Sequence, residues 1–167
     1  MFTTDSKVTG GNGLVFSSAR HRSLFVYHLQ MGGPDAVAVE WSALHAPRFE
    51  SRVRHLGVTH VYSAAEADVV VVSGLLTRGN LDSVLAQLAT MPSPSVLIAA
   101  GDRTINPSEL SKLKLPGLAP YPLSHYADIH ISVPGNPPTP QALIAAIAAA
   151  ANILSQPSQP LVPISES

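Results

Sequence analysis

Asp68-Val69-Val70-Val71-Val72-Ser73 sets the architecture of this chain. Four consecutive valines leave no polar parity, so a strand of this composition is apolar on both faces. Such strands lie inside parallel sheets covered by helices, whereas a half-exposed antiparallel strand alternates. Ser95-Val96-Leu97-Ile98-Ala99-Ala100 repeats the pattern. Between the two, Asn80 to Thr90 is amphipathic, with Leu81, Val84, Leu85 and Leu88 on one stripe, and Pro92 and Pro94 end it. Strand, helix and strand at this spacing make a βαβ unit.

The same alternation extends both ways. Ser23 to Gln30 predicts a strand buried on both faces, and Val37 to His45 a helix with Val37, Trp41 and Leu44 inward and Asp35 as N-cap. Arg48 to Leu56 predicts a short charged helix stopped by Gly57, and Val58 to Tyr62 a short strand. Asp102 to Tyr126 is long, proline-rich and irregular, with a turn of helix expected near Pro107 to Leu113. Asp128 to Val133 is the last strand and Ala142 to Leu154 the last helix, with Leu143, Ile147, Ala150 or Ala151, and Leu154 inward. The expected organisation is a flexible N-terminus over 1–12, one α/β domain over 13–154 with a low-contrast strand at Leu14-Val15-Phe16, and a Pro/Ser-rich tail over 155–167. Three loops leave the C-terminal ends of strands and are expected to gather on one edge: Gly32 to Ala36, Gly101 to Asn106, and Pro134 to Pro138.

Composition removes several function classes. Net charge is −1, with 13% charged and 46% hydrophobic residues, so there is no basic footprint for nucleic acid. There is no cysteine among the 167 residues, which excludes disulfides, thiolate nucleophiles and thiolate metal sites. The longest apolar run, Ala142 to Leu154, is too short and too alanine-rich to span a bilayer, and no signal-peptide pattern opens the chain. A soluble cytoplasmic chain docked on something larger is expected. The seven histidines (His21, His28, His45, His55, His60, His125 and His130) show no zinc-type spacing. Gly-x-Gly-x-x-Gly and a Walker lysine are absent, and Ser73-Gly74 lacks a nucleophile elbow.

Val133-Pro134-Gly135-Asn136-Pro137-Pro138 is the most specific motif. Prolines fix φ on either side of a glycine, and Thr139 with Pro140 then supply an N-cap and first residue for the last helix. Upstream stand Gly32-Gly33-Pro34-Asp35-Ala36-Val37-Ala38-Val39-Glu40, Pro47-Arg48-Phe49-Glu50, Ala67-Asp68-Val69 running to Gly74-Leu75-Leu76-Thr77, and Gly101-Asp102-Arg103-Thr104. In order and spacing these resemble the small, cluster-bearing subunit of membrane-bound group 4 nickel–iron hydrogenases and the 20-kilodalton subunit of respiratory complex I. There the motifs read Gly-Gly-Cys-Asn-Gly-Cys-Asp-x-Glu, Pro-Arg-Tyr-Asp, Ala-Asp-Val to Gly-x-x-Thr, Gly-Asp/Ser-Cys-Ala and Val-Pro-Gly-Cys-Pro-Pro. The resemblance covers roughly Ser23 to Leu154 and implies a flavodoxin-like parallel sheet with helices on both faces.

The resemblance also implies a 4Fe–4S cluster on four thiolates, and here the chain departs from it. The positions corresponding to those ligands are Pro34, Val37, Arg103 and Asn136. The cluster is therefore expected to be absent, with no cofactor and no metal in its place. Arg103 is expected to fill the space, paired with Asp35, Asp102 or Glu40 and with Asn136 nearby; the alternative is collapse of the loops on Pro34 and Val37 with Arg103 in solvent.

With the cluster ligands gone, the chain is expected to be a redox-silent structural subunit, not catalytic by itself. In the family the complex as a whole is a hydrogenase or an NADH:quinone oxidoreductase. The implied partners are a large nickel–iron-type subunit, like the 49-kilodalton subunit of complex I, and antiporter-like, proton-translocating membrane subunits. Arg48, Phe49 and Glu50 match the segment nearest the membrane, and the implied location is the inner face of the cell membrane, without a span. The alternative is a small-anion or inorganic-carbon site near Arg103 in an ion-coupled transporter or enzyme. A third option is a free-standing binding module.

Overall fold

The computed structural model describes residues 23–33, 36–108, 112 and 116–156. The expectations for Leu14-Val15-Phe16, for the 1–12 terminus, for Pro34 and Asp35, and for the tail beyond Gln156 lie outside these residues.

Among the described residues five strands form one sheet: β1 (Leu24–Gln30), β2 (Val58–His60), β3 (Val69–Ser73), β4 (Val96–Ala100) and β5 (Ile131–Val133). Every pairing is parallel and the order is β2-β1-β3-β4-β5. This is the flavodoxin-like doubly wound order, in which the winding direction reverses between β1 and β3. The valine run occupies the central strand, where Val69 to Ser73 are each 1% exposed or less. Its odd residues, Val69 and Val71, join Leu24, Val26, Val96 and Ile98 in one core. Its even residues, Val70 and Val72, join Leu29 and Leu97 in the other.

Helices α1 (Ala36–Ala43), α2 (Pro47–His55) and α5 (Pro140–Ser155) cover the first core through Trp41, Phe49, Leu143 and Ile147. The α5 start is as expected: Thr139 accepts a hydrogen bond from the Ala142 amide at 3.2 Å, and Pro140 follows it. Helix α3 (Leu81–Leu88) covers the second core, with Val84 buried and Leu81 and Leu88 half-buried beside it. A four-residue helix α4 (Asp102–Ile105) caps the C-terminal end of β4.

Four expectations are corrected. Strand β1 is not buried on both faces: Phe25 is 39% exposed, because α3 and its neighbouring turns cover the second face incompletely. Strand β5 begins at Ile131 rather than Asp128, since the His130 side chain takes the place of a ladder carbonyl and its Nδ1 accepts from the Leu97 amide at 3.1 Å. Strand β2 ends at His60, leaving Tyr62 90% exposed. The segment after β4 is less irregular than expected, holding α4 and a 3₁₀ turn at Leu123–His125; Ser108 and Lys112 are helical, while 109–111 and 113 lie outside the described residues. Among the described residues no helix is long and apolar enough to cross a membrane.

Candidate functional site

Open α/β sheets present their ligand sites where the strand order reverses, outside the carboxyl ends of the strands. Here the loops after β1, β3, β4 and β5 converge at that place around a cavity of about 430 Å³. Its walls are Gly32, Gly33, Ala36, Val37, Val39, Gly74, Leu75, Gly101 to Thr104, and Gly135 to Pro137. The gathering of the three loops expected from sequence is observed.

Side chains of the protein itself tie these loops together. Asn80, just before α3, donates from Nδ2 to the carbonyls of Met31 (2.7 Å) and Leu75 (3.0 Å). Its Oδ1 accepts from the Thr77 amide at 2.7 Å. One amide group thus joins the exits of β1 and β3 across the reversal point. Thr104, 3% exposed, donates from Oγ1 to the Gly74 carbonyl at 3.0 Å and brings α4 against the β3 exit. Asp102 accepts from the Gly135 amide at 2.8 Å, and its own amide donates to the Gly135 carbonyl at 2.9 Å. This reciprocal pair closes the β4 loop on the β5 loop. Two glycines make the approach feasible. A Cβ on Gly74 (φ +89°) would lie 2.7 Å from the Gly32 carbonyl oxygen, and one on Gly135 (φ +139°) 2.5 Å from the Pro138 Cα.

Of the four positions that the resemblance matched to cluster ligands, Val37, Arg103 and Asn136 line this one cavity, while Pro34 lies outside the described residues. Val37 is buried at 5%; Arg103 and Asn136 are exposed on the rim. Asp102 is engaged with Gly135, and Glu40 is half-buried on α1. Glu50 pairs with Arg54 on α2. Arg48 lies over the Phe49 ring at 4.6 Å, and Phe49 is 4% exposed within the first core, so of the Arg48-Phe49-Glu50 segment only Arg48 and Glu50 face outward.

The donor set does not fit a thiolate-held cluster. Valine presents hydrocarbon, proline has no side-chain donor atom, and the arginine guanidinium is cationic and carries no lone pair for iron. A change of register supplies nothing, because the chain has no cysteine.

A second constellation was not visible in the sequence. Trp41 on α1 packs between His28 of β1, with ring centres 4.9 Å apart, and His60 of β2, at 5.7 Å. His60 in turn meets His45, from the turn after α1, at 4.6 Å. His28 Nε2 is 2.6 Å from the buried Ser73 hydroxyl. Burial holds the His60 pKa below its ordinary value, and the neighbouring His45 lowers it further.

The sequence profile described as NADH ubiquinone oxidoreductase, 20 kDa subunit, matches residues 34–150. The chain belongs to that family. Among its relatives is the probable membrane-bound hydrogenase subunit mbhJ of Pyrococcus furiosus, 28% identical over 145 residues, covering 87% of this chain and 84% of that one. Formate hydrogenlyase subunit 7 of Escherichia coli is 26% identical over 135 residues, covering 81% of this chain and 51% of that one. In fold, the chain is similar to a chain of the archaeal membrane-bound sulfane sulfur reductase (TM-score 0.63, 19% identity, 81% of this chain and 72% of that one). It is also similar to a chain of the NAD⁺-reducing [NiFe]-hydrogenase (TM-score 0.56, 16% identity, 84% and 97%). This member of the 20 kDa family lacks every cysteine while keeping the loop edge on which the resemblance placed the cluster.

Proposed function

We propose that this chain is a cluster-free, redox-silent structural subunit of a membrane-associated complex related to group 4 hydrogenases and complex I. It bridges a large nickel–iron-hydrogenase-like subunit and proton-translocating membrane subunits, and sits peripherally on the cytoplasmic face. The observation that carries this reading is the loop edge. The cluster loops still converge, with no thiolate among them, and Asn80, Thr104 and Asp102 tie them with hydrogen bonds. A surface kept in shape without metal retains a docking role after losing an electron-transfer one. The relatives named as membrane-bound hydrogenase and formate hydrogenlyase subunits supply the kind of complex.

The test is purification of the native assembly under anaerobic conditions, with partners identified by mass spectrometry and with iron and sulfide counted. The expected result is co-purification with a large hydrogenase-like subunit and membrane proteins, and no iron–sulfur signal on this chain. Iron and sulfide bound at the loop edge, or a chain that isolates only as a stable monomer, overturns the proposal.

A second reading rests on the cavity itself, whose rim carries Arg103 and Asn136, side chains suited to a small anion such as bicarbonate. It requires saturable anion binding that Arg103→Gln removes. A large partner that retains its metal-binding cysteines would favour a redox complex with an electron route avoiding this subunit.

A further inference from the structure

The histidine cluster beside β2 lies outside the reading above, and its geometry carries a site of its own. His45 and His60 come from different elements. His45 follows α1 in a turn closed by bonds from the Leu44 amide to the Trp41 carbonyl and from the His45 amide to the Ser42 carbonyl. His60 is the last residue of β2, in register with Val26. Their ring centres are 4.6 Å apart with planes inclined by 51°. With metal–nitrogen bonds of about 2.0–2.1 Å, two imidazoles on one tetrahedral ion stand with ring centres roughly 5 Å apart. The observed 4.6 Å separation brings the two rings within reach of one ion.

We infer that His45 and His60 form a two-imidazole site for a divalent cation of the zinc, nickel or copper class. The Trp41 ring packs against His60 with ring centres 5.7 Å apart and planes inclined by 84°, and so helps to orient one ligand in advance. His45 is exposed, so the site opens to solvent. Among the described residues no group of three or more His, Cys, Asp or Glu side chains converges as a metal site. The ion therefore keeps waters in its remaining positions and exchanges freely. Imidazole donors select the later first-row divalent ions over magnesium or calcium, which prefer oxygen. A bound ion pins the turn after α1 to the end of β2.

Calorimetric titration of the purified, chelator-treated full chain with zinc chloride and, separately, nickel chloride near neutral pH tests this. The expected result is one ion per chain at micromolar affinity, with His45→Gln and His60→Gln each weakening binding by roughly tenfold or more and His125→Gln leaving it unchanged. Metal should also raise the unfolding midpoint of the wild type and not of His45→Gln. Binding seen only at millimolar metal, or unaltered by His45→Gln, overturns the inference. His45 is exposed and its replacement leaves the core intact, so that variant decides the matter even if His60→Gln does not fold.

Discussion

Replacing Asn80 removes the amide that joins the exits of β1 and β3. It makes three hydrogen bonds: to the Met31 carbonyl at 2.7 Å, to the Leu75 carbonyl at 3.0 Å, and from the Thr77 amide at 2.7 Å. A typical internal hydrogen bond contributes about 0.5–1.5 kcal/mol net. Asn80 is half-buried, so water recovers part of the loss, and Asn80→Ala is expected to cost about 2–3 kcal/mol. For a domain of this size that lowers the unfolding midpoint by roughly 5–10 °C. Asn80→Asp is the sharper perturbation. It keeps shape and one acceptor, loses both donors, and sets a carboxylate against two carbonyl oxygens. It should therefore be at least as destabilising as alanine despite being nearly isosteric. Urea unfolding followed by the fluorescence of Trp41, the single tryptophan, reads both variants. Asn80→Asp within about 0.5 kcal/mol of wild type would refute the reasoning, since the amide then cannot be donating to those carbonyls.

Thr104→Val leaves the Gly74 carbonyl without its hydroxyl donor in a buried place and is expected to cost about 1–3 kcal/mol by the same measurement, with faster amide exchange in the loops after β3 and β4. Gly74→Ala combines a left-handed φ of +89° with a Cβ 2.7 Å from the Gly32 oxygen, and should cost about 3 kcal/mol or prevent folding. The folded-state pKa of His60 lies below its ordinary 6.5, so the unfolded chain takes up a proton first on acidification. Stability measured with chelator present should hold above pH 6.5 and fall as the pH drops from there through the folded pKa, with a smaller fall in His45→Gln, where the neighbouring imidazole is gone.

Periodicity made the centre of the sheet legible and left its margins obscure. The valine run and the Val96 to Ala100 run identify β3 and β4, because continuous apolar β-branched sequence has few other folded uses. The cap and proline at the start of α5 were equally explicit. What escaped depends on contacts between distant residues. His130 meets Leu97 with its ring as well as its backbone, the ring accepting from the Leu97 amide while the His130 amide donates to the Leu97 carbonyl, and nothing local announces that. The partial exposure of Phe25 reflects how far α3 extends over the sheet, which an isolated strand does not encode. At the site, motif spacing placed Val37, Arg103 and Asn136 around one cavity, because strand-end loops of a parallel sheet share an edge. The polar ties were not foreseen: Asn80 reads as an ordinary residue before a helix and Thr104 as a loop threonine. The approach of His45 to His60 was also hidden, since it is set by the packing of α1 over β1 and β2 rather than by any spacing along the chain.

Among the described residues the two outermost strands, β2 and β5, are only three residues each. Strands this short offer a stranger's backbone almost no template to pair with, so the protein resists growing into fibrils or swapping strands with a neighbour. A partner that meets these edges finds side chains and turns rather than a strand to extend, and such contacts are easily rewritten by mutation without disturbing the scaffold beneath.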